Sequence, residues 1–184
     1  MRRRGFTIVE LLMVVGILSV LMTIVTTAAT GAVKQARARK ADALVAMVQS
    51  GIATYYAQHD EWPDFDGSGK TGNYRVGNDI DPDRYQLTDS ECDDVVRKLV
   101  RTSLSDTNPL LDVMGLFVAD ASGGISDRTY GMDFSEAIHG SKRHPKKLRK
   151  VSNMAFGYPD SSTGRFRRFK MVYSIPADQI TVSK

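Results

Sequence analysis

A single cysteine, Cys92, in 184 residues leaves no partner for an internal disulfide, so packing and hydrogen bonding must hold the fold. The three histidines, His59, His139 and His144, read as surface or structural residues, and no serine sits in a nucleophile elbow, so no catalytic constellation is in view and the chain reads as non-enzymatic. Charge is almost missing near the start. Between Phe6 and Ala29 the one ionisable side chain is Glu10.

What fills that stretch is an apolar run. At 1.5 Å rise per residue about 20 apolar residues cross a ~30 Å hydrocarbon core, so this segment is long enough to span a bilayer. A secretory signal peptide carries a shorter apolar region before a small-residue cleavage site, and Ala29-Thr30-Gly31 would be the site in that alternative, with a mature start near Ala32. A carboxylate inside an apolar span costs a few kcal/mol unless something pairs with it. Glu10 therefore calls for a cation.

Arg2-Arg3-Arg4-Gly5-Phe6-Thr7-Ile8-Val9-Glu10-Leu11-Leu12 resembles the prepilin leader and mature start of type IV pilins and type II secretion pseudopilins. The resemblance implies cleavage after Gly5 by a prepilin peptidase, methylation of the new amino terminus on Phe6, and an assembly role for Glu10. In that role the amine on Phe6 of one subunit neutralises Glu10 of its neighbour in an apolar filament core. It also implies a leader in the cytoplasm, a span in the inner membrane and a head in the periplasm. The expected partners are other pilin subunits, homo-oligomeric or mixed, the peptidase and the inner-membrane assembly machinery. The lone Cys92 departs from many major type IV pilins, whose C-terminal loop is closed by a disulfide, and favours a pseudopilin or minor pilin.

Helical periodicity continues past the span. Ala41, Leu44, Val45, Val48, Ile52, Tyr55 and Tyr56 recur at three- and four-residue steps, which predicts one helix from near Phe6 to Gln58 with an apolar stripe down its outer half. Thr23, Thr26, Thr27, Thr30 and Gly31 are weak helix formers, although threonine hydroxyls can bond back to helical carbonyls. Lys34, Arg37, Arg39 and Lys40 are expected at the outer membrane edge as headgroup contacts or a solvated face. The expected organisation is a leader at 1–5, a membrane half of the helix at 6–32, an amphipathic half at 33–58 and a head at 59–184.

From His59 to about Leu87 periodicity stops, and Trp62-Pro63, Asp66-Gly67, Gly69, Gly72, Gly77 and Asp81-Pro82 predict a long loop. Gly69-Lys70-Thr71 lacks the first glycine and the strand-helix context of a phosphate loop, so that reading is rejected. Asp60, Asp64, Asp66 and Asn73 offer oxygens to calcium, the one cofactor in question, but the full calcium-loop pattern is absent; a solvated, turn-rich loop is preferred.

Thr88-Asp89-Ser90-Glu91 reads as a capping box, with Cys92, Val95, Val96, Leu99 and Val100 on the inner face of the helix that follows. Leu110 to Met114 stays unassigned. Leu116-Phe117-Val118 and a segment from Ile125 to Phe134 predict one strand pair; Asn153–Tyr158 and Phe166–Ile175 predict a hairpin, with Phe169, Met171, Tyr173 and Ile175 alternating onto one face. The predicted fold class is α+β and pilin-like: a long N-terminal helix packed on an antiparallel sheet.

Charge is split along the chain. Residues 59–138 carry net −10, and residues 139–184 carry net +9. Lys142, Arg143, Lys146, Lys147, Arg149 and Lys150 form one basic run, and Arg165, Arg167 and Arg168 with Lys170 another. A solvated sheet edge, a subunit contact and a surface for nucleic acid are the competing readings. No regular aromatic interleaving supports sequence-specific recognition. The sequence thus points to a filament subunit, with two alternatives: a DNA-binding minor pilin of an uptake system, or a secreted soluble binding domain.

Overall fold

With no proline before Pro63 and no charge between Glu10 and Lys34, nothing in the chain stops a helix once it has started. In the structure, a computed structural model that describes residues 7–105, 109–120, 131–139 and 151–184, helix α1 runs unbroken from Ile8 to His59. It ends where Asp60 adopts a left-handed conformation, φ 56°, and returns its N–H to the Tyr56 carbonyl at 2.8 Å, a closure that aspartate tolerates better than most side chains. The chain divides into two compact units, Met1–Ala36 and Arg37–Lys184.

Among its described residues the first unit is helix from Ile8 onward. Its best apolar window has a mean hydropathy of 2.7 and no buried residue; Ile8, Leu12, Met22 and Val25 are all exposed. The threonines do not break it. Thr23, Thr26, Thr27 and Thr30 each donate their hydroxyl to a carbonyl one turn back, at 2.7–2.9 Å, which leaves these hydroxyls paired without water.

In the second unit the outer part of α1 buries the expected stripe. Ala41, Leu44, Val48, Ile52 and Tyr55 are buried, joined by Gly51, where a Cβ would already sit 3.3 Å from Leu111. Val45 packs at the margin of the core and Tyr56 is half-buried. Full burial of an aliphatic side chain such as Ile52 stabilises by about 1.5–3 kcal/mol.

The expected loop at 59–87 proves more ordered. It holds three short strands, β1 (Tyr74–Val76), β2 (Asp79–Asp81) and β3 (Arg84–Gln86). The two-residue turn Gly77-Asn78, with Gly77 at φ 66°, joins β1 to β2 in register Val76↔Asp79. That dipeptide is a hairpin signal in its own right; strands of three residues are too short to show alternation. Helix α2 (Asp89–Ser105) starts as expected: the Thr88 N–H donates to Glu91 Oε2 at 2.8 Å and the Glu91 N–H to Thr88 Oγ1 at 3.3 Å. Leu110–Met114 resolves into a 3-10 turn, Val113–Gly115, capped by Asp112.

One antiparallel sheet was the economical expectation, and the chain builds more than one. Strands β4 (Phe117–Asp120), β5 (Met132–Asp133), β6 (Met154–Pro159) and β7 (Phe166–Arg168) form a four-stranded sheet in the order β5-β4-β6-β7. A three-stranded sheet has the order β3-β8-β9, with β8 at Lys170–Ser174 and β9 at Gln179–Ser183. All pairings are antiparallel. The predicted strand Phe166–Ile175 is therefore two strands in two sheets. Phe169, buried between them, is where the chain changes partner, while Met171 and Tyr173 keep the expected inward alternation. The predicted strand through Phe134 is also corrected, since Phe134 opens helix α3 (Phe134–His139) with a fully buried ring and an N–H bound to the Leu116 carbonyl at 2.9 Å. Strand β9 carried no sequence expectation.

Gly157 of β6 is required by close approach. A Cβ there would run into the Arg167 carbonyl oxygen of β7, so only glycine lets the two strands meet at this register.

Candidate functional site

The first candidate lies at the start of α1. Thr7 accepts the Glu10 N–H on Oγ1 at 3.2 Å, and Glu10 Oε2 accepts both the Thr7 N–H at 2.8 Å and the Thr7 hydroxyl at 2.9 Å. Thr7-Ile8-Val9-Glu10 is thus a capping box of the same type as Thr88–Glu91, a pattern that the three-residue spacing of Thr7 and Glu10 already carries in the sequence. Within one chain the carboxylate thus starts the helix. Its exposure, together with the uncovered aliphatic surface below it, marks a face whose partners lie outside the chain. Gly5 and Phe6, the expected cleavage and methylation positions, lie outside the described residues.

The expected basic surfaces fare differently. Lys142, Arg143, Lys146, Lys147, Arg149 and Lys150 also lie outside the described residues. Arg168 is turned inward, a correction to its reading as part of an exposed basic run: its guanidinium donates to Asp89 at 2.6 Å and contacts Asp93 at 3.1 Å. Asp93, on the inner face of α2, is 4% exposed and also accepts the Phe156 N–H of β6 at 3.0 Å. Burial pushes its carboxyl up to about 6 against the pull of Phe156, Arg168 and Arg97. Arg167 reaches Asp160 at 3.7 Å, and Arg165 is also engaged within the head. Lys40 pairs with Asp133 at 2.5 Å and lies over the Phe117 ring.

The calcium candidates do not form a ligand set, although Asp60 and Asp66 line a common cleft. Asp64 faces Lys98 at 3.4 Å, Asp66 accepts the N–H and hydroxyl of Ser68 at 2.8 Å, and the Asn73 amide is bound to the Gln86 backbone. Among the described residues no three His, Cys, Asp or Glu side chains form a group that could hold a metal ion.

A feature absent from the sequence reading is an open cleft of about 350 Å3 at the end of α1. Asp178 is in its lining, sits at φ 44° and accepts from Trp62 Nε1 at 2.9 Å, the Tyr173 hydroxyl at 2.8 Å and the Tyr56 hydroxyl at 3.3 Å. These donors hold the Asp178 carboxyl below the ordinary range. Tyr56 and Trp62 each lie more than 110 residues from Asp178 in the chain, so no local pattern could have joined the two sides.

No curated protein and no solved structure matches the chain. Residues 1–26 match the family model described as the prokaryotic N-terminal methylation motif, so this chain carries the leader signature of type IV pilins and pseudopilins.

Proposed function

We propose that the chain is a structural subunit of a type II secretion pseudopilus or a type IV pilus-like filament, made as a precursor, cut after Gly5, methylated on Phe6 and packed through its N-terminal helix. The observation that carries this is the helix half itself. Under the methylation motif stands a span with no buried residue and one carboxylate at its head, a surface suited first to lipid and then to copies of itself. The head waits in the periplasm while the helix is anchored in the inner membrane.

Glu10 then has two duties. In the single chain it caps α1; in the filament it neutralises the amine freed on Phe6 of a neighbour, a charge-assisted pairing that the apolar core strengthens. Intact-mass measurement on membrane-purified protein tests the processing step: the expected species starts at a methylated Phe6, and a start at Met1 or near Ala32 overturns it. Glu10→Ala should leave membrane insertion intact and cut filament yield; normal yield counts against the assembly role.

A further inference from the structure

The cleft at the end of α1 combines flat aromatic walls with negative charge. Tyr56 and Trp62 stack with centroids 4.1 Å apart, and the Tyr173 ring is fixed beside them by Asp178. Asp60, Glu61 and Asp66 add three carboxylates to the lining, and among the described residues no lysine or arginine lines it. Ring faces and carboxylates both attract cations. The carboxylates do not converge on a metal-sized point, so the fitting occupant is an extended organic cation: a guanidinium or alkylammonium group on a stem that lies along the rings.

The chain itself supplies that chemistry, since residues 139–184 carry net +9 against net −10 for residues 59–138, the block that furnishes most of the cleft. We propose that this cleft receives a lysine or arginine side chain from the run Lys142–Lys150 of a second copy of the chain. The proposal rests on the filament reading. A head-to-tail contact of this kind joins two different surfaces and so propagates along a filament instead of closing into a dimer.

Trp62 is the only tryptophan in the chain, so its emission reports on the cleft directly. Full-length protein in detergent is titrated with a synthetic peptide of residues 141–150. The expected result is a saturable change in Trp62 emission that weakens as salt rises and at least tenfold weaker binding to the variant carrying Asp60→Asn, Glu61→Gln and Asp66→Asn, which keeps Asp178 and the ring positions. No change in emission, or equal binding to that variant, overturns the proposal. A second arm works in membranes. Copies with Asp60→Cys are co-expressed with copies carrying Lys146→Cys and oxidised, alongside a Leu18→Cys pair that reports helix association. Cys92 gives no background, being buried with its thiol pushed up to about 12. A 60–146 cross-link between copies is expected. Cross-linking at residue 18 without it overturns the cleft contact and leaves the filament reading standing; absence of both overturns the two together.

Discussion

Gln49 closes the outer edge of the three-stranded sheet against Val182: its Oε1 accepts the Val182 N–H at 2.7 Å, and its Nε2 donates to the Ile180 carbonyl at 3.0 Å. Asn73 does the same at the opposite edge, accepting the Gln86 N–H at 2.5 Å and donating to the Gln86 carbonyl at 3.2 Å. Open strand edges are templates for pairing with another chain. With a carboxamide on each side, this sheet presents little of that template.

Gln49→Leu should therefore cost about 1–3 kcal/mol, because a half-buried N–H and a carbonyl lose their partners together. The measurement is a denaturant transition of the head, followed with amide exchange. Exchange at Val182 should quicken more than at Val172 of β8, which faces strands on both sides. Equal quickening at both would mean that Gln49 acts through the core and not the edge.

Asp93 makes the head sensitive to pH in a direction opposite to most carboxylates. Its folded value of about 6 lies above the ordinary 3.8, so between those values the folded head holds a proton that the unfolded chain has released. Stability from this group rises as pH falls through 6 and is fully gained near 3.8. Arg168→Ala removes the cation that favours the charged form, so its cost should be about 3 kcal/mol at pH 8 and clearly smaller at pH 5, where Asp93 can be neutral. Thermal unfolding at the two pH values checks this, and an identical loss at both would remove Asp93 from the account.

Glu91 works in the usual sense. Burial would raise its carboxyl, but hydrogen bonds from Lys70, Thr88 and Tyr85 outweigh it and bring the value to about 2, below the ordinary 4.5. Its stabilisation is present above pH 4.5 and is lost as pH falls through 2. Glu91→Gln should cost about 1–2 kcal/mol at pH 7, through the weakened cap and the unpaired Lys70, with the gap from the parent shrinking below pH 4.5. An acid titration of both proteins by circular dichroism measures the gap.

The features legible in the sequence are those whose causes are local. The long helix follows from uninterrupted apolar residues and the absence of proline; its inner stripe, Ala41 to Tyr55, follows from a 3.6-residue period. The start of α2 follows from Thr88 and Glu91, three residues apart, and Thr7 with Glu10 carried the same signal. The inward alternation of Met171 and Tyr173 was legible as well, since a strand's two faces repeat every second residue. The methylation motif is likewise one contiguous stretch.

What the tertiary structure decided depends on residues far apart in the chain. Whether Phe166–Ile175 is one strand or two is fixed by where β6 stops and β3 begins to offer partners, which the segment's own residues do not encode. Arg168 looked like one more surface cation, and only the proximity of α2 to β7 shows that it is held by Asp89 and Asp93. Asp178 becomes part of a cleft only after the chain has brought it to Tyr56 and Trp62. Periodicity and capping are set by the backbone within a few residues, so sequence alone determines them; sheet partners, buried ion pairs and clefts are set by which surfaces meet, and only the folded chain settles that.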